Sequence, residues 1–149
     1  MDLFKILGVS STGMQAQRSR MTVVTGNMVN SETTRTPEGG PYKRRDVVFQ
    51  AVPLEEESST LTTIGLPQRP SSGIVGVEVA GVRESAKTPK RIYDPHHPDA
   101  DTEGYVAYPD INVMEEMVNL ITASRAYEGN ITAMSITKAM AQRALEIGR

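Results

Sequence analysis

The sequence predicts an α+β chain in which long N- and C-terminal helices pack as a coiled coil and a small antiparallel β-unit lies between them. Three observations carry this. Apolar residues recur at alternating steps of four and three at both ends, as in Leu3, Leu7, Met14, Met21, Val24 and Met28 and again in Val113, Met117, Leu120, Tyr127, Ile131, Met134 and Leu145. The middle is rich in Gly, Pro and short β-type runs. Aromatic residues make up only 5% of 149 residues, with two Phe and no Trp, which is thin for a self-sufficient core. Much of the apolar surface is therefore expected to be covered by other chains.

Taken in order, residues 1–30 form an N-terminal helical arm. Gly8, Gly13 and Gly26 each weaken it by about 1 kcal/mol relative to Ala. The β-branched run at positions 22–25 adds to this. Such an arm is marginal alone and is expected to order on docking. Residues 31–110 form the central unit. Glu38-Gly39-Gly40-Pro41 is a turn, and Asp46–Leu54 reads as a strand. Residues 55–73, rich in Ser, Thr, Pro and Glu, read as a mobile loop or insertion. Ile74–Val82 alternates, with Val75, Val77 and Val79 on one face, and is the clearest strand. Arg91–Tyr93 and Gly104–Tyr108 are two shorter strands. Residues 111–149 form the C-terminal arm, a helix capped by Asp110 or Asn112, with Glu115 and Glu116 in the dipole-favoured first turn. At 1.5 Å per residue it is roughly 55 Å long, too long for a compact domain of this size.

Little else points to chemistry. Without Cys there are no disulfides, thiolate nucleophiles or zinc–thiolate sites. A net charge of -2 gives no global field for nucleic acid, and Lys43-Arg44-Arg45 reads as a solvated turn. No run reaches the roughly 18 apolar residues of a membrane span, and no cleavable signal peptide is expected. There is no nucleophile elbow and no phosphate loop, so no catalytic residue, small-molecule substrate or cofactor is expected. The densest polar cluster runs from Asp94 to Gly104. Its acids at 99, 101 and 103 imitate a calcium loop, but Pro95 and Pro98 forbid the preceding helix such a loop needs, and the twelfth ligand position holds Asp110 rather than Glu. A rigid structural turn built by Asp94, Pro95, Pro98, Asp99 and Gly104 is the simpler reading. A metal-dependent hydrolase at His96, His97 and the following acids is a further alternative, and it requires bound metal.

One segment does point to a family. Tyr93-Asp94-Pro95-His96-His97-Pro98-Asp99-Ala100-Asp101-Thr102-Glu103-Gly104-Tyr105-Val106, continued by Pro109-Asp110-Ile111-Asn112-Val113 and Glu116-Met117-Val118, resembles the C-terminal signature of the proximal-rod proteins of the flagellar rod–hook axial family. Ala123-Ser124-Arg125-Ala126-Tyr127-Glu128-Gly129-Asn130 is similar to a stretch shared by rod and hook proteins. Asn27 and Asn30 match the Asn-x-x-Asn ending of that family's N-terminal helix; Val29 departs from the usual Ala before the second Asn, and Gly129 from the usual Ala before Asn130.

The resemblance adds Asn27, Asn30 and Asn130 to the expected assembly interface. It implies a non-enzymatic structural subunit of the basal-body proximal rod, part of the drive shaft that transmits torque. Export would be by the type III route without a cleaved signal, and the rod would span the periplasm. The implied partners are other proximal-rod proteins, the export-gate adaptor protein beneath, the distal rod protein above and further copies of the chain in a helical assembly. The alternative reading is a non-polymerising coiled-coil adaptor of a secretion apparatus.

Overall fold

The computed structural model describes residues 3–54 and 74–147; the expected loop at 55–73 lies outside them. The order is α1 (Leu3–Val29), β1 (Arg45–Pro53), β2 (Val75–Glu84), β3 (Lys90–Tyr93), β4 (Tyr105–Tyr108) and α2 (Val113–Ile147). Each expected element is present within two residues of its expected bounds. Asn112 is the cap that opens α2. Its side-chain Oδ1 accepts the Met114 amide at 3.1 Å and its carbonyl accepts the Glu116 amide at 3.1 Å.

The two helices pack antiparallel along their lengths. Asn27 meets Glu116, Arg20 meets Asn119, and Gly13 meets Asn130. The terminal arms are thus paired with each other inside one chain, where the sequence alone favoured partners in other chains. The central unit is two separate hairpins. β1 and β2 pair over their whole length, with a bulge between Val48 and Phe49, and lie against α1. The Thr12 hydroxyl accepts the Val77 amide at 3.2 Å, so α1 terminates part of the free edge of β2.

β3 and β4 form the second hairpin, stiffened by an edge-to-face contact of Tyr93 with Tyr105. Val106 from this hairpin and Ile111 just after it are buried, as are Ala16, Val24 and Ala123 between the other elements. With Pro109 these are the buried apolar side chains among the described residues, and none is larger than Ile.

The turn from Asp94 to Gly104 joins β3 to β4. The Asp94 amide donates to the Gly104 carbonyl at 2.9 Å, and Asp94 Oδ1 accepts the His96 amide at 3.2 Å. Gly104 sits at φ 81°, where a side chain is strained, and an added Cβ would stand 2.9 Å from the Tyr93 ring. Asp99 reaches out of the turn to accept the Thr34 hydroxyl at 2.8 Å, with Arg35 at 3.9 Å. The turn therefore braces the connection that follows α1. The long helix packs on α1 and on neither strand of this hairpin. The tie between hairpin and α2 is made instead at Asp110, which holds Lys90 at 2.8 Å and Lys87 at 3.7 Å just before the helix begins. The hydrogen bond from Lys90 holds the Asp110 carboxyl below the usual carboxylate range. Burial opposes this, and the charges of Lys90 and Lys87 add to it.

Two predictions follow from this geometry. Gly104→Ala should cost the hairpin about 1–2 kcal/mol. It should therefore speed hydrogen exchange at the Asp94 amide about five- to thirtyfold while leaving the helix pair protected. The Asp110 tie should be complete above about pH 4, where the unfolded chain's aspartate is also ionised, and should disappear as pH falls through the lower folded value. A carboxyl titration by NMR should place Asp110 below an ordinary aspartate, and Lys90→Ala should bring it back up.

Candidate assembly site

Both helices keep the three-four rhythm that the sequence predicts, but the inward flank is one residue off. On α1 the line of residues facing α2 runs through Ser10, Gly13, Gln17, Arg20, Val24 and Asn27. On α2 it runs through Val113, Glu116, Leu120, Ala123, Tyr127, Asn130, Met134 and Thr137. The shared positions Val24, Val113, Leu120, Tyr127 and Met134 lie where expected. In place of Met14, Met21 and Met28 the seam takes Gly13, Arg20 and Asn27, and in place of Met117 and Ile131 it takes Glu116 and Asn130. Small residues at the seam let the backbones approach closely: a Cβ at Gly13 would stand 3.1 Å from the Asn130 amide.

The displaced apolar residues do not vanish into a core. Met117 and Ile131 are 43% and 44% exposed, and Leu145 is 76% exposed. Leu7, Met14, Met21 and Met28 are partly covered, and the side chain of Leu3 lies outside those described. In an antiparallel pair, residues that follow each seam position by the same step fall on the same side of both helices. The Met flank of α1 and the Met117–Ile131 flank of α2 therefore share one side of the helix pair. The opposite side of α1, with Ala16 and Val23, faces the β1–β2 hairpin. Met114 and Ile121, both exposed, widen the apolar side on α2.

At one end of the seam three distant segments meet in a polar knot. Asn27 is fully buried and uses its whole amide. Its Nδ2 donates to the Arg45 carbonyl at 2.8 Å and to Glu116 Oε2 at 3.1 Å. Its Oδ1 accepts the Arg45 amide at 2.9 Å and the Tyr42 hydroxyl at 3.2 Å. Asn27 thus stands in for a neighbouring strand at the first residue of β1. Glu116, 1% exposed, gives its second oxygen to Arg44 Nε at 2.8 Å, and Arg44 also holds Asp46 at 2.8 Å. Burial works against the Arg44 charge, but the Glu116 hydrogen bond and the charges of Glu116, Asp46 and Glu115 outweigh it and hold its pKa above the usual arginine value. Burial raises the Tyr42 hydroxyl; Arg45 opposes this, and Glu84 and Glu116 reinforce it.

Arg44 is therefore a structural partner and not part of a solvated turn, because β1 starts beside it and turns its guanidinium onto α2. Asn30 closes α1 differently. Its Nδ2 donates back to the Gly26 carbonyl at 2.9 Å and its Oδ1 accepts the Thr33 hydroxyl at 3.2 Å. Asn130 likewise donates to the Ala126 carbonyl of its own helix at 3.0 Å. Glu116, Arg44 and Tyr42 were missed as a group in the sequence. The signal was an acid standing inside an apolar stripe, three residues after Val113.

Among the described residues no three or more His, Asp and Glu side chains gather as a metal site would require, and no helix is long and apolar enough to cross a membrane. What the chain does present is a rigid helix pair, two small hairpins and one apolar side, which is the form of a structural subunit. Comparison with known proteins agrees. Residues 102–147 match the family described as flagellar basal body rod FlgEFG protein C-terminal. The chain is 41% identical to the flagellar basal-body rod protein FlgC of Borreliella burgdorferi over 99% of its own length and 98% of the relative's. It is 39% identical to that of Bacillus subtilis and 34% identical to that of Salmonella typhimurium, with both chains fully covered in each case. The chain belongs to the FlgC family of flagellar basal-body rod proteins, a family of structural proteins and not of enzymes.

The knot generates a stability prediction. Asn27→Ala should strand the buried Glu116 carboxylate, the half-buried Tyr42 hydroxyl and the Arg45 backbone groups and cost about 2–4 kcal/mol. Asn27→Asp, nearly isosteric, should cost at least as much, because it sets a second carboxylate against Glu116. Urea unfolding midpoints of the two variants, read at a common slope, check this.

Proposed function

We propose that this chain is a subunit of the proximal rod of the flagellar basal body and helps form the drive shaft that carries torque. Residues 1–30 and 111–149 are its assembly arms, and residues 31–110 are the unit that faces outward. It leaves the cell by the type III export route without a cleaved signal and assembles in the periplasm. Its neighbours are further copies of itself, other proximal-rod proteins, the export-gate adaptor protein beneath and the distal rod protein above. The expected interface residues divide in this reading. Val24, Asn27, Asn30, Val113, Leu120, Tyr127, Asn130 and Met134 shape the helix pair from within. Leu3, Leu7, Met14, Met21, Met28, Met117, Ile131 and Leu145 meet neighbouring subunits.

The observation that supports this most is the apolar side of the helix pair. Apolar side chains stay in water at Met117, Ile131 and Leu145 while Gly13, Asn27, Glu116 and Asn130 hold places in the internal seam. A monomer designed for itself would place them the other way round, since burying one such side chain is worth about 1.5–3 kcal/mol. Contacts of this kind, each surface meeting a different surface on its neighbour, extend into a helical tube.

The test is a pair of charges on that side. Met117→Glu with Ile131→Asp should leave the circular dichroism and melting of the purified chain close to those of the parent. In a flagellated strain lacking its own FlgC, the same pair should abolish swimming and complete rods. Normal motility with the double variant would overturn the assignment of this side to assembly. A parent chain that forms only a finite complex of fixed size with its partners would overturn the polymerising subunit itself.

A further inference from the structure

We propose that the Glu116 carboxylate, gripped by Arg44 and Asn27, is a register pin that selects one of two sterically permitted alignments of α2 on α1. The seam away from the knot is permissive. It pairs Gly13 with Asn130 and is lined elsewhere by the small Ser10, Ala123 and Thr137 and by the larger, half-buried Leu120, Tyr127 and Met134. Beyond Glu116 the small and short polar residues Ala123, Asn130 and Thr137 repeat at a spacing of seven on α2, and the larger Leu120, Tyr127 and Met134 do the same. A shift of one heptad that brings Thr137 to Gly13 replaces Asn130 there with a side chain of similar size, and puts Tyr127 where Leu120 stood and Met134 where Tyr127 stood. The helix lengths allow it as well. α2 has 35 residues against 27 in α1, so the shifted pair keeps every turn of α1 covered and uses α2 to its last turn.

What the shift destroys is the knot. Glu116 would move beyond the end of α1, away from Arg44 Nε at 2.8 Å and Asn27 Nδ2 at 3.1 Å, and Ala123 would come to Asn27. The Asn27 Nδ2 bond to a carboxylate and the Arg44 bond to Glu116 would both be lost without replacement. A single buried polar or charged group in an otherwise permissive seam is a well-attested way to fix register. Arg44 adds a second consequence. It directly precedes β1, whose first residue is held by Asn27, so the pin sets α2 relative to the β1–β2 hairpin as well as to α1. The apolar residues Met117 and Ile131 then stand at one fixed height along the subunit.

The pin is a property of the single chain, so its test does not depend on rod assembly. The sequence has no cysteine, which makes engineered disulfides unambiguous. Gly13→Cys with Asn130→Cys reports the observed register. Gly13→Cys with Thr137→Cys reports the shifted one. In an otherwise unaltered chain under mild oxidation, the first pair should close and the second should not. Adding Glu116→Leu, which fills the space and leaves Arg44 its Asp46 partner, should raise closure of the second pair at least about tenfold at the expense of the first. Closure of the first pair alone, with helical content retained, would overturn the proposal. Should Glu116→Leu lose its helices, Glu116→Gln decides in its place. Measurable closure of the 13–137 pair supports the pin, and its absence overturns it.

Discussion

The fold depends on a buried carboxylate being satisfied. Glu116 sits at the start of the long helix with both oxygens out of water, one on Arg44 and the other on Asn27. A buried charge that lost one of these partners would cost more than most apolar contacts in this chain can return. The arrangement therefore forces three segments into place together: the end of α1, the start of β1 and the first turn of α2. Asn27 makes the link stringent because its amide has no spare capacity. It donates twice and accepts twice, and one partner is the backbone of Arg45 on both sides. Strand β1 begins where it does because Asn27 supplies the pairing that a neighbouring strand would supply.

The second constraint is the choice of which flank of each helix faces inward. A three-four stripe has two candidate flanks one residue apart; on α1 the less apolar one lies inside, and on α2 Glu116 and Asn130 take inner places beside Leu120, Tyr127 and Met134. Gly13, Ala123 and Thr137 let the helices approach closely, whereas Met14, Met117 or Ile131 in the seam would hold them apart. Specificity within the chain is thus carried by close backbone approach and by polar groups whose geometry tolerates no substitute. Apolar area, which is non-directional and tolerant of imperfect fit, is left on the outside.

This explains what could be read from the sequence and what could not. The helices, the four strands, the Asn112 cap and the Asp94–Gly104 turn follow from local rules about periodicity, capping and turn residues. The phase of the stripe does not. Periodicity counts apolar residues, so it selected Met14, Met21, Met28, Met117 and Ile131 and treated what lay between them as interruption. In a chain that folded for itself alone that choice would be sound. Asn27 was legible only through its likeness to a family motif, and Arg44 looked like one member of a solvated basic run. No local signal tells that a residue at position 44 will meet one at 116. The reach of the turn was illegible for the same reason: Asp99 finds Thr34, a contact across 65 positions that no spacing rule encodes.

The division between a polar interior knot and an apolar exterior suits a chain that must remain single before it docks. The described core consists of Ala16, Val24, Val106, Ile111 and Ala123, far too little for apolar burial alone to define the fold. Moving Met117 and Ile131 inward would enlarge that core but would leave the outer side with nothing to offer a neighbour. Leaving a continuous apolar strip outside would invite indiscriminate association. The sequence on the outer side of α2 meets both demands by interruption. Between Met117 and Leu145 the same side carries Ser124, Glu128, Ser135 and Lys138 among its apolar residues. Each apolar patch is then small, and a partner gains only when several patches align at once. Such alignment requires the patches to stand at defined heights, and their heights are set by the helix register. The buried carboxylate at one end of the pair and the apolar side along its length are in this way parts of a single device. The first makes the second readable by a neighbour.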